Sequence, residues 1–193
     1  MSKQFTPTYR IWHGLMALSV LGLLATVLLR KTFLSWRSNA EIIQTQLAQL
    51  GTDITAESAK VVAKAIRAPM WEWHYTFAVI LGISIALRIY MVVTKQSELP
   101  IITVMKTTGM QKLKAGTYLL LCATILIMAL SGTVLYFHEF LGISKTFAES
   151  LKDFHEWMMQ PLILFVVMHI AGVLRHEFTT KEGIISKMIH GDP

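Results

Sequence analysis

Between Trp157 and Leu174 the chain passes without a single Asp, Glu, Lys or Arg. With its flanks, from Phe154 to His176, this run is long enough to cross a bilayer core, which takes about 20 helical residues. Such a stretch folds as helix, because lipid offers no partner for backbone N–H and C=O groups. Two of its histidines stand fourteen positions apart, His155 near one end and His169 deep inside. At about 100° per residue that spacing returns almost to the same helix face, and at 1.5 Å per residue it separates them by roughly 21 Å. An ionisable group within a membrane costs a few kcal/mol unless it has a partner, and so marks function.

The rest of the chain agrees with the bilayer. Of 193 residues, 53% are hydrophobic and only 16% charged, the composition of a membrane protein folded as one compact unit over 1–193. The formal net charge of +6 does not call for nucleic acid; in a membrane chain it bears first on orientation. The single cysteine, Cys122, lies in an apolar run, so neither a disulfide within the chain nor a cysteine-based metal cluster forms.

Four spans are predicted, at about 10–30, 71–93, 115–138 and 154–176. The first, Ile11 to Leu29, is bounded by Arg10 and Arg30. It is long for a signal peptide and lacks a small-residue cleavage site after Leu29, so it reads as a retained span. The second has Trp71, Trp73 and Tyr75 crowding its start, as at a membrane interface. Between these two, residues 32–70 hold a helical hairpin: one helix from Asn39 to Leu50, capped by Ser38 and ended by Gly51, and one from Ala56 to Arg67, capped by Thr55. Ile43, Leu47 and Leu50 share a face of the first; Val62, Ala65 and Ile66 share a face of the second. The hairpin is expected to fold over the outer end of the spans, with Lys60, Lys64 and Arg67 on its rim. Thr94 to Lys114 reads as a basic connection with a surface helix, Phe140 to Lys152 as a short link, and Thr179 to Pro193 as a polar tail. The fold class is therefore an all-α membrane protein, a four-transmembrane-helix bundle with a small helical hairpin in its first extramembrane loop.

Four spans put both termini on one side. Ten Lys and Arg residues fall on that side and eight on the other, which places both termini in the cytoplasm. Depth then pairs the histidines. His13 and His169 lie nearer the inner surface; His74 and His155 lie at the outer ends of their spans. Two imidazoles at each of two depths are what two haem irons need, and filling both axial positions favours electron transfer over oxygen binding. Arg88, fourteen residues after His74 on the same helix face, is expected to pair with a haem propionate; the competing reading is an arginine snorkelling to the headgroups. Gly14 and Gly82 can make room for a flat macrocycle, although ordinary helix packing explains them as well, and Pro161 should loosen the fourth span between the two levels. His138 and His176 read as interfacial or as partners of a propionate; His190 is assigned nothing.

The motifs I-W-H-G at His13, W-H-Y at His74 with Arg88 beyond it, and F-H-E-W…M-H at His155 and His169 resemble the bacterial cytochrome b561 family, related to the cytochrome b subunits of nickel-iron hydrogenases. The resemblance covers all four spans; the long loop at 32–70 departs from the compact members. It implies a multi-pass protein of the bacterial inner membrane whose His13, His74, His155 and His169 are axial ligands of two haem b groups, inner and outer respectively for His13 with His169 and His74 with His155. It also implies exchange of electrons with quinone in the lipid and with a redox partner at the outer face. An alternative within the family is a superoxide oxidase passing electrons to ubiquinone. An intramembrane metal transporter, the reading from another class, would need histidines and carboxylates clustered at one depth.

Overall fold

The computed structural model describes residues 6–180 and 183–191; most of the polar lead, with Lys3, and part of the basic tail, with Lys181, lie outside the described residues. Among those described, the chain forms nine helices. Four helical segments are long and apolar enough to cross a membrane: Pro7–Lys31, Ala56–Val93, Gly109–Tyr136 and Lys145–Thr179. Most of their Leu, Ile and Val side chains, such as Leu21, Val79, Leu120 and Val167, are exposed, as helices solvated by lipid tails require. The protein is an all-α membrane protein with the expected number of spans.

The chain forms two compact units, whose boundaries cut the first and fourth helices. One unit runs from Gly14 to Ile83. It holds most of α1 (Pro7–Lys31), all of α2 (Trp36–Gln49) and α3 (Ala56–Arg67), and the first half of α4 (Pro69–Val93). The other joins the start of α1 and the end of α4 to α5 (Pro100–Lys106), α6 (Gly109–Tyr136), α7 (Lys145–Trp157), α8 (Met159–Thr180) and α9 (Ile184–His190).

In the Gly14–Ile83 unit, α3 begins as predicted, with the Thr55 hydroxyl accepting from the Ser58 N–H at 3.1 Å. Helix α2 begins earlier than expected. A tight turn after α1 brings the Ser35 N–H to the Thr32 carbonyl at 3.0 Å, and the Asn39 N–H already bonds the Ser35 carbonyl at 2.9 Å. Ser38 is thus inside the first turn rather than the cap. Helix α3 buries its small side chains, with Ala59 and Ala63 fully buried while Val62 and Ile66 are exposed. Small side chains let two helices close up, and that gain outweighs burying the larger pair. The basic residues gather around one ring, with Arg37, Lys60 and Lys64 at 4.8, 5.7 and 5.9 Å from the Trp36 centroid. Pro69 stops α3 and opens α4, as a residue with no N–H can do at a first helical position.

Helices α1 and α4 approach closely at one point in this unit. A Cβ built at Gly22 would lie 2.6 Å from the Phe77 ring. One turn further along α1, the Thr26 hydroxyl reaches His74.

In the second unit, α5 packs on α6, α6 on α7 and α8, and α8 on α9. The Arg10 guanidinium donates to the carbonyls of Met188 and Ile189, satisfying the end of α9 with a cation where the helix dipole is negative. Three expectations are corrected here. Phe140 to Lys152 is no plain link, since α7 starts at Lys145, capped by Ser144. The basic stretch before Lys114 is likewise not all loop, because α6 starts at Gly109. The fourth span, expected as one helix over 154–176, breaks at Met158. Pro161 has no N–H for the carbonyl of Trp157, so the ladder is interrupted one turn upstream of the proline. Met158 keeps φ −62° and ψ −12°, so the chain continues in near-helical sense. His155 therefore belongs to α7 and His169 to α8.

Gly22→Ala is expected to destabilise the protein by about 1–3 kcal/mol, the range for overpacking a tight contact. Gly116→Ala, whose Cβ meets nothing within 4 Å, should be neutral or slightly stabilising. Thermal unfolding of the two variants in detergent compares them; equal melting temperatures would mean that the Gly22 approach is not constrained.

Candidate functional site

His74 stands one turn into α4, and its imidazole is partly buried. The Thr26 hydroxyl of α1 lies 2.8 Å from its Nδ1 and 2.7 Å from the Leu23 carbonyl. Thr26 is only 4% exposed. The Trp71 ring meets His74 edge-on at 5.7 Å and stacks on Tyr75 at 6.1 Å, while the Arg30 guanidinium sits 5.6 Å from the Trp71 centroid. The aromatic residues crowding the start of this span thus fix the imidazole from the side and hold a cation near it.

His155, on the last turn of α7, repeats the arrangement with different parts. The Ser131 hydroxyl of α6 lies 2.8 Å from His155 Nδ1 and 2.7 Å from the Ile127 carbonyl. The next residue, Gly132, provides the space: a Cβ there would stand 3.2 Å from His155 Cε1. Each of these two histidines, read from sequence as the outer-level pair, has a buried hydroxyl on its Nδ1 and a glycine beside the contact that supplies it.

His13 and His169 come together directly. Their ring centroids are 6.2 Å apart and the planes are inclined at 48°. Two imidazoles sharing one metal ion, each with its nitrogen about 2 Å from it, have centroids roughly 6 Å apart, so the spacing fits a bis-imidazole iron. A Cβ at Gly14, next to His13, or at Gly82 meets no atom within 4 Å, and both positions border open space as a flat macrocycle would need.

Arg88 reaches the same level. Its guanidinium lies 4.9 Å from the centroid of Trp12, the neighbour of His13, whose ring Trp12 meets edge-on at 6.4 Å. One guanidinium nitrogen, Nη2, donates to the Glu98 carbonyl at 3.2 Å. The other, Nη1, is buried, as is Trp12 Nε1, and neither has a hydrogen-bond partner among the described residues. Two donors left open beside a buried cation suit an acceptor-rich anion such as a carboxylate, which offers about four lone-pair sites. A propionate fits them.

Of the other histidines, His138 binds the Leu135 carbonyl through Nδ1 at 2.8 Å and so serves the end of α6. His176 and His190 lie near the ends of α8 and α9. Among the described residues no three His, Cys, Asp or Glu side chains gather as a metal site. Sequence reasoning missed Thr26, Ser131 and Trp12. Only the I-W-H motif pointed toward the last.

The family model for prokaryotic cytochrome b561 matches residues 4–191; no curated protein and no solved structure matches the chain significantly. The chain belongs to the prokaryotic cytochrome b561 family, and is accordingly a multi-pass membrane cytochrome of the b type that binds haem and transfers electrons. Gly132→Ala should push the His155 ring away from Ser131 and weaken haem retention. Haem content per protein after detergent gel filtration measures this, and full retention would show that the ring tolerates the displacement.

Proposed function

We propose that this cytochrome carries electrons across the membrane between quinone in the lipid and a redox partner at the outer surface, using two haem b groups. The first is held by His13 and His169, and the observation that carries the reading is the 6.2 Å spacing of their rings. The second is held by His74 and His155, paired by their expected depth in the spans; the hydroxyl on each Nδ1 supports both as ligands. With both termini in the cytoplasm, the first haem is the inner one and the second the outer one. Bound haem supplies an iron that takes up and releases single electrons, and two axial imidazoles favour that role over oxygen binding.

The protein side does the holding and the tuning. The imidazoles fix each macrocycle, and the apolar spans keep water away. Arg88 lends a positive charge to the inner level, where its open Nη1 faces a need for an anion that a haem propionate meets. Trp12 holds the guanidinium from one side by cation–π attraction, worth about 2 kcal/mol or more when desolvated.

Single substitutions test the ligands. His13→Ala and His169→Ala should each deplete the same haem, and His74→Ala and His155→Ala the other, as read by haem content and redox titration. Depletion of one haem by both His13→Ala and His74→Ala would overturn the pairing. Reduction of the purified protein by quinol and by superoxide, with rates compared, decides between quinone-linked transfer and superoxide oxidation.

Arg88→Leu should lower the inner haem's potential, since a nearby cation favours the electron-rich state, and should leave the outer potential in place. An unchanged inner potential would mean that Arg88 serves only Trp12 and the Glu98 carbonyl.

A further inference from the structure

The two histidines assigned to the outer haem share a device that lies in neither motif. We infer that Thr26 and Ser131 are positioning residues: their hydroxyls lock His74 and His155 as Nδ1–H tautomers, direct Nε2 to the iron, and tune the haem those histidines hold. The inference rests on the reading of His74 and His155 as axial ligands.

The argument is a proton count. A hydroxyl has one hydrogen to donate and two lone pairs with which to accept. Thr26 Oγ1 lies 2.7 Å from the Leu23 carbonyl and 2.8 Å from His74 Nδ1. Two oxygens that close, with no hydrogen between them, repel. The Thr26 proton therefore points to Leu23, and the remaining contact is made by the imidazole donating Nδ1–H to Oγ1. Ser131 Oγ stands in the same relation to the Ile127 carbonyl at 2.7 Å and His155 Nδ1 at 2.8 Å, and the same assignment follows. In each ring the lone pair is then on Nε2, the form in which a histidine ligates a metal.

Burial makes the device effective. Thr26 and Ser131 are 4% and 6% exposed, so in a low dielectric each hydrogen bond is strong and water does not compete for it. An imidazole that donates its distal N–H to an acceptor is a more basic ligand. A more basic ligand pair stabilises the oxidised iron, so both hydroxyls act to lower the potential of that haem.

The test is made on the full-length protein purified with its haem. Thr26→Val keeps the shape and removes the acceptor; Ser131→Ala does the same on α6. Each should raise the potential of one and the same haem, leave the potential of the other unmoved, and weaken retention of the first by about 10- to 100-fold, the usual effect of losing an outer partner of a ligating histidine. Thr26→Ser, which retains the hydroxyl, should restore the native potential where Thr26→Val shifts it. Unshifted potentials in both Thr26→Val and Ser131→Ala, with both haems bound, overturn the inference. If Thr26→Val fails to fold, Ser131→Ala alone decides, because its smaller change leaves the Gly132 contact in place. A ligand assignment that is itself mistaken shows separately: His74→Ala and His155→Ala would then keep both haems.

Discussion

An imidazole inside a bilayer has two nitrogens to satisfy, and the surrounding helices settle how. A polar group left without a partner there costs several kcal/mol, and a span of Leu, Ile and Val has nothing to offer it. At His74, and separately at His155, one nitrogen of the ring is met by a hydroxyl that bonds back to a carbonyl of its own helix. The rings of His13 and His169 stand inclined to one another at the separation that one metal ion would span. The packing of the spans follows from these needs. Gly22 lets α1 come close enough to α4 for Thr26 to reach His74, and Gly132 lets the His155 ring lie against α6 beside Ser131.

What could be read from the sequence is what the lipid dictates. Apolar runs of the right length announced four spans, and Arg10, Arg30 and the aromatic cluster at Trp71 marked ends. The histidines stood out because ionisable groups are costly in such runs. The break at Met158 was harder to place, since a proline removes the bond made by its own N–H and so the effect appears a turn earlier than Pro161 itself. Helix α6 hid its beginning for another reason. Lys112 and Lys114 make its first turns look like loop, although a helix may carry lysines once it leaves the hydrocarbon.

The hydroxyls were invisible for a deeper reason. Most Ser and Thr residues in these helices bond back to a carbonyl of their own helix, as Ser19, Thr117 and Thr133 do. Thr26 and Ser131 do so too, and only tertiary packing shows that their second lone pair is used by an imidazole. No pattern in one strand of sequence separates a hydroxyl that bonds back and stops from one that bonds back and serves a neighbour. Likewise the buried face of α3 does not stand out in sequence, because Val62 and Ile66 outweigh Ala59 and Ala63 on any hydrophobicity scale, yet helix approach rewards the absence of bulk.

The aromatic neighbours of two of these histidines carry the electrostatics further. Beside His13 the Trp12 ring holds the Arg88 guanidinium, and beside His74 the Trp71 ring holds that of Arg30. A cation near a bound haem favours the reduced iron and raises its potential, whereas a neutral oxygen that accepts from the Nδ1–H of a ligating imidazole makes the ring more basic and lowers it. Beside His74 the two influences meet, because Thr26 supplies the oxygen and Arg30 the cation. The aromatic ring between them lets an arginine act on an imidazole through space while leaving the ring nitrogens to other partners.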